Sequence, residues 1–212
     1  MPRTKIRKFT DTLFFPIRAV FVPEESSLCF TSLRDERFEE VAKLSDGYVL
    51  DVGCGRGNLF IHNYIGLNNG VGIDIFHYEG VENIVEDMCN LPFESNSFDT
   101  ITLIAVGGHI PVDLRKKEFN EFSRILKTNG RLIMTEGEPV TQTISHIWRK
   151  FSYSLIGKKD MDSERGLLVG EEYCMPKKEL IEYLNTPPLT LKIRKKFMWG
   201  LNNIYVATKR DH

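Results

Sequence analysis

Four segments carry residues whose type and spacing could do chemistry. Asp51-Val52-Gly53-Cys54-Gly55-Arg56-Gly57-Asn58 is a glycine-rich turn leaving the β-rich run Tyr48–Val52. Glycines there adopt positive φ and present no Cβ, so a ligand can lie against bare backbone. The spacing is G-x-G-x-G rather than the G-x-G-x-x-G of dinucleotide binders, and no Gly-Lys-Ser/Thr follows. An acid two residues before the first glycine would repel a pyrophosphate but would suit a ligand with a cationic amino group. Asp74, near the end of Val71–Ile75, is placed to accept from both hydroxyls of a ribose; its plainer reading is an exposed strand-end acid. Asp87 and Met88, after Asn83–Glu86, could accept from an adenine amine and pack on its ring, or be a turn acid beside a core methionine. His109, in Val106-Gly-Gly-His-Ile-Pro111, is of a residue type that can take a proton near neutral pH, or could simply cap a loop backbone group. Asp113 is a weaker base candidate, better suited as a helix-start charge.

These residues need a scaffold, and its pattern is readable. Residues 31–45 open with Thr31-Ser32 and place Leu33, Phe38, Val41 and Leu44 at helical spacing. Strands are expected at 48–52, 71–75, 83–86, 98–106 and 131–135, with helices at about 58–64 and 112–127, the latter stopped by Asn129-Gly130. A helix over about 176–185 and a hairpin, 189–199 with 203–209 around Gly200-Leu201-Asn202, close the chain. Strand alternating with helix implies a mostly parallel sheet. One link is anomalous: Phe76–Glu82 is too short for the dozen or so residues of a helical crossover, so its helix must shrink to a turn.

The bulk composition excludes several classes. The chain has 212 residues, a formal net charge of −1 and 27% charged residues, so no general electrostatic pull toward nucleic acid or anionic lipid follows. Cys29, Cys54, Cys89 and Cys174 form no C-x-x-C pair, which argues against a zinc site and fits a reducing, cytoplasmic setting. No apolar stretch is long enough for a transmembrane helix. The basic start, Arg3 to Lys8, precedes an apolar run to Val22, but Asp11, Pro16 and Arg18 interrupt it and no cleavage site follows. Peripheral contact of this N-terminus with a membrane surface is a minority reading.

In order, over residues 45–136, the segments Asp51–Asn58, Asp74, Asp87-Met88, Leu91-Pro92-Phe93…Ser97-Phe98-Asp99 and Leu126-Lys-Thr-Asn-Gly130-Arg-Leu-Ile resemble the successive motifs of class I S-adenosylmethionine-dependent methyltransferases, of the type 11-like group. The resemblance implies an α/β, Rossmann-like fold: one doubly wound, mostly parallel seven-stranded sheet, order 3-2-1-4-5-7-6, with the last strand antiparallel. It implies S-adenosylmethionine as cofactor and S-adenosylhomocysteine as product. Gly53, Cys54, Gly55 and Asn58 would then line the methionine and ribose side, and Asp51 would orient the loop and the amino group. Asp74, with Ile75 beside it, would hold the ribose, and Asp87 and Met88 the adenine. Ala105, Val106 and Gly107 would pass beneath the sulfonium, with His109 facing the methyl group as the candidate catalytic base.

The acceptor is expected to be set by residues 1–30, an N-terminal lid or extension with Phe9, Phe14, Phe15, Phe21 and Phe30, and by an insertion at 139–175 with His146, Trp148, Phe151, Tyr153 and Tyr173, both within a single domain over 1–212. Those aromatics could form an apolar lid or simply pack on the core. The segments Phe197–Tyr205 and Glu164-Arg165-Gly166 resemble bacterial small-molecule methyltransferases. The expectation is therefore methyl transfer to a small-molecule hydroxyl or amine, with no nucleic-acid partner. Lys192, Arg194, Lys195 and Lys196 read as a solvated strand face. The rival reading is a catalytically silent binding protein that keeps the cleft; the glycine spacing speaks against a nicotinamide-dependent oxidoreductase.

Overall fold

The computed structural model describes residues 3–21, 30–81, 83–138, 170–172 and 174–211. The strands are β1 (Val49–Val52), β2 (Gly70–Asp74), β3 (Asn83–Ile84), β4 (Phe98–Ile104), β5 (Leu126–Gly137), β6 (Leu189–Phe197) and β7 (Asn202–Lys209). They form one seven-stranded sheet in the order β3-β2-β1-β4-β5-β7-β6. β1 to β5 are parallel, and β7 runs antiparallel to both β5 and β6. The order reverses between β1 and β4, which opens a crevice at the carboxyl ends of those two strands.

The described helices are α1 (Lys5–Leu13), α2 (Phe15–Phe21), α3 (Leu33–Ala42), α4 (Arg115–Ile125) and α5 (Lys177–Leu184). None is long and apolar enough to cross a membrane. Phe119, Phe122 and Ile125 of α4 and Leu180 and Leu184 of α5 pack with Leu50, Ile101 and Met134 on one face of the sheet. Phe38 and Val41 of α3, with Phe60 and Ile61, cover Val49, Ile133 and Val206 on the other. β1 is buried along its whole length, as a central strand covered on both faces must be. Ser32 caps α3, its Oγ accepting the Asp35 N–H at 2.9 Å.

The elements differ locally from those expected. The helix expected at 58–64 is a 3₁₀ turn at Arg56–Asn58 followed by a π-helical turn at Ile61–Ile65. The helix expected to 127 stops at Ile125, and Leu126 enters β5 directly. The Asn129-Gly130 signal falls inside the strand, where Asn129 takes φ +63° and the pairing of β4 with β5 shifts register. β3 has only two residues, held by Val85 N–H donating to Asp74 O at 3.0 Å.

The short β2–β3 link carries no helix. Glu79 O accepts the Gly57 N–H at 2.8 Å, and a Cβ on Gly80 would lie 2.9 Å from Gly57 Cα. The link thus packs directly on the glycine loop.

The N-terminal helices invert the usual arrangement. Asp11 faces inward, ion-paired to Arg3 and Arg18, and accepts the Thr31 N–H at 3.2 Å. Arg18 is fully buried and also pairs with Glu36 at 2.7 Å. Ile6, Phe9 and Leu13 of α1, with Phe14 and Ile17, are exposed, while Phe15 is buried and stacks on Trp199. Of the aromatics expected to form a lid, the side chain of Phe21 and residues His146, Trp148, Phe151, Tyr153 and Tyr173 lie outside the described residues, as does Glu164-Arg165-Gly166.

Gly80→Ala meets both a positive φ of +78° and the Gly57 contact. It is expected to destabilise the fold by more than about 1 kcal/mol, read from the urea midpoint. A wild-type midpoint would contradict this packing.

Candidate functional site

The crevice at the switch between β1 and β4 holds a cleft of about 330 Å³. Gly53 and Gly55 form one wall, and Asp74, Ile75 and Tyr78 the next. Glu86, Asp87 and Met88 close one end, while Ala105, Val106 and His109 lie across from the glycines. Leu114 and Glu118 of α4 complete it. A second, more open depression of about 490 Å³ sits at the amino ends of β1 and β2 and contains none of the candidate residues.

The glycine loop is stitched to β2. The N–H groups of Gly53 and Cys54 both donate to Ile73 O, at 2.9 and 3.0 Å. Gly55 N–H donates to Asp74 Oδ2 at 2.9 Å, and Phe76 N–H to Asp74 Oδ1 at 3.0 Å. These bonds fix the Asp74 carboxylate at the cleft wall, and each oxygen keeps a further lone pair for a ligand hydroxyl. Gly55 has open space where a Cβ would stand, whereas a Cβ on Gly53 would lie 2.8 Å from a Val106 methyl carbon. The first glycine is therefore required by the approach of β4, and the second leaves bare backbone toward the cleft.

Asp51, Cys54, Asn58 and Gly107 do not line the cleft. Asp51 is buried beneath the loop, where Thr102 Oγ1 donates to its Oδ1 at 2.7 Å. Burial pushes its carboxyl up to about 7, the Thr102 bond opposing and the Asp74 charge adding to the rise. Burial likewise pushes the Cys54 thiol up to about 12, so it stays neutral. Asn58 turns toward β2, where a Cβ on Gly72 would collide with its Oδ1. Gly107 packs against Glu136, and a Cβ there would collide with Glu136 Oε1.

The turn after β4 is held firmly. Ala105 takes φ +59°, a strained value for a residue with a side chain, and its N–H donates to Thr135 O at 3.1 Å. His109 Nδ1 lies 3.3 Å from Glu171 Oε2. Arg115, fully buried, donates to Ile110 O at 3.1 Å and ion-pairs with Glu172 and Glu179 at 2.8 and 2.7 Å. It ties the His109 turn to α5 and to the strip around Glu172.

Arg115, Glu118, Glu136 and Glu171 escaped the sequence reading. Arg115 and Glu118 had a visible signal: both fall on the apolar stripe of α4, in register with Phe119 and Phe122. Glu136 and Glu171 had none, because their neighbours are distant in sequence.

Glu136 is buried at the end of β5, and its Oε1 has no hydrogen-bond partner among the described residues. Burial raises its carboxyl to about 8, against the pull of Arg37. The folded state thus keeps a proton that the unfolded chain loses above the ordinary glutamate range. Stability is expected to fall as pH rises from about 4.5 to about 8. Glu136→Gln should flatten that slope in urea melts across this range; identical slopes would contradict the assignment.

Residues 50–134 match the family model described as "Methyltransferase domain". The chain is 33% identical over 122 residues to "tRNA (carboxymethyluridine(34)-5-O)-methyltransferase" of Arabidopsis thaliana, covering 50% of this chain and 29% of that protein. It is 31% identical over 124 residues to "Probable tRNA methyltransferase 9B" of Mus musculus, covering 53% of this chain and 28% of that protein. The chain thus spans under a third of the length of these two relatives. A crystal structure from Pyrococcus horikoshii superposes with a TM-score of 0.63 at 21% identity, covering 84% of this chain and 90% of that one. The two relatives' names overturn the expectation of a small-molecule acceptor with no nucleic acid. Net charge, on which that expectation leaned, reports the average of the surface and not a local acceptor site.

Proposed function

We propose that this chain, whose residues 50–134 match the family model described as "Methyltransferase domain", transfers a methyl group from S-adenosylmethionine to an oxygen nucleophile on an RNA of the tRNA kind. The observation that carries the cofactor half is the convergence of Gly55, Asp74, Asp87 and Met88, distant in sequence, on one cleft. The acceptor half is supported by the names of the Arabidopsis and mouse relatives. The exposed run Lys192, Arg194, Lys195 and Lys196 on the edge strand β6 offers phosphate contacts, although Lys195 and Lys196 also pair with Glu40 and Glu138.

The residues fit the cofactor. Asp74 would accept from the ribose hydroxyls, Asp87 from the adenine amine, and the bare face of Gly55 would take the backbone-close part of the ligand. An ammonium group brought near the loop would favour the charged form of Asp51. When bound, the cofactor supplies a methyl group already activated by its sulfonium. The protein's task is alignment and exclusion of water. His109, which lines the cleft beside Glu171, would take the proton from a hydroxyl acceptor. A carboxylate acceptor carries no proton to remove.

Asp74→Ala should weaken binding of S-adenosylhomocysteine about tenfold or more by calorimetry, the loss expected for charge-assisted hydrogen bonds, while unfolding stays cooperative. Unchanged affinity would remove Asp74 from the ribose site. In a labelled-methyl assay, label should enter tRNA. His109→Ala should slow a hydroxyl acceptor by roughly a hundredfold or more and leave a carboxylate acceptor near wild type. Label entering only small molecules would overturn the RNA acceptor and leave the cofactor site standing.

A further inference from the structure

The end of the cleft nearest Asp87 holds a carboxyl group that no part of the fold uses. Glu118, on α4, lines the cleft and is only 5% exposed, yet among the described residues it has no hydrogen-bond or ion-pair partner. A buried carboxyl without a partner is costly, and one that lines a cavity can be satisfied by what enters that cavity. Asp87 lines the same end, with Oδ1 accepting the Cys89 N–H at 2.8 Å. Met88 lies beside it as an apolar face for a ring.

Adenine presents an exocyclic amine donor next to a ring-nitrogen acceptor. A carboxylate can satisfy only the first, whereas a carboxylic acid can satisfy the second. We propose that Glu118 is a second base-recognising group of the cleft, donating from its carboxylic acid form to a ring nitrogen of the adenine whose amine Asp87 accepts. The inference rests on the cofactor reading above. Burial first, and the Asp87 charge second, raise the Glu118 carboxyl to about 7, so the acid form is available near neutral pH. The cleft thereby sets an acid form of Glu118 that can donate beside the Asp87 oxygens that accept. The pair would favour adenine over hypoxanthine, whose oxygen and ring N–H present the reverse pattern.

Binding uses the protonated form of Glu118, so affinity is full below about 7 and declines above it, by up to tenfold per pH unit. Asp87 and Cys89 face Glu118 from the segment after β3, and Asp74, Glu86 and His109 line the same cleft. Cys89 is raised by burial and stays a neutral thiol. Any contribution from His109 persists when Glu118 is replaced, which separates the two.

The test is calorimetric titration of S-adenosylhomocysteine, and of its hypoxanthine analogue, into wild type, Glu118→Gln and Glu118→Ala between pH 6 and 8.5. Thermal unfolding of each variant confirms folding. Wild type should lose affinity above pH 7. Glu118→Gln, which donates at every pH, should keep the low-pH affinity throughout. Glu118→Ala should bind about tenfold more weakly at pH 6 with a flatter profile, and its preference for adenine over hypoxanthine should shrink. Wild-type affinity and pH profile in both variants would overturn the assignment of Glu118 and leave the cleft intact. No binding by wild type would overturn the cofactor reading itself, and this inference with it.

Discussion

Everything at the carboxyl edge of this sheet depends on backbone meeting backbone and side chain where no Cβ fits. The loop from Gly53 to Gly57 is pressed by Val106 of the β4 turn at one end and by the β2–β3 link at the other, where Gly80 meets Gly57. Gly72 makes room for Asn58 in the same way. These contacts leave Gly55 as the position with open space before it. The geometry of the cleft is thus set by steric exclusion, and the hydrogen bonds that Asp74 accepts follow from a loop already fixed.

A second layer of buried charge holds the opposite wall. Arg115 binds the turn carrying His109 to Glu172 and Glu179, and Glu136 packs against Gly107 from behind. Buried ion pairs of this kind add little net stability, but removing one partner leaves an uncompensated charge. Their effect here is to give the β4 turn one position relative to the glycine loop. Alignment of a bound group against an incoming nucleophile needs that fixed relation more than it needs reactive side chains.

Much of this was legible in the sequence because it is local. The glycine spacing, Asp74 and Asp87 each lie at a strand end that the hydrophobic pattern already marks, and sheet order then brings them together. The missing crossover helix was legible as a simple count of residues between β2 and β3. What escaped were partners made by the fold. Glu171 meets His109 across 62 positions of chain, and Arg115 meets Glu179 across 64. The inward turn of Asp11 was also hidden, since its partner Arg18 is visible as such only once α1 and α2 fold against α3. Overall charge carries no information on the acceptor, because a net charge of −1 averages over local features such as the basic run on β6.

The central claim is that the cleft beside Gly55, Asp74 and Asp87 is a site for a sulfur-linked adenosine. Thermal unfolding with S-adenosylmethionine, S-adenosylhomocysteine and the nicotinamide dinucleotides addresses it most directly. At a hundred times its dissociation constant a ligand stabilises by about 2.7 kcal/mol, enough for a shift of several degrees. The account predicts that shift with the two sulfur nucleosides and none with the dinucleotides. A shift with the dinucleotides alone, or with none of these ligands, would contradict it.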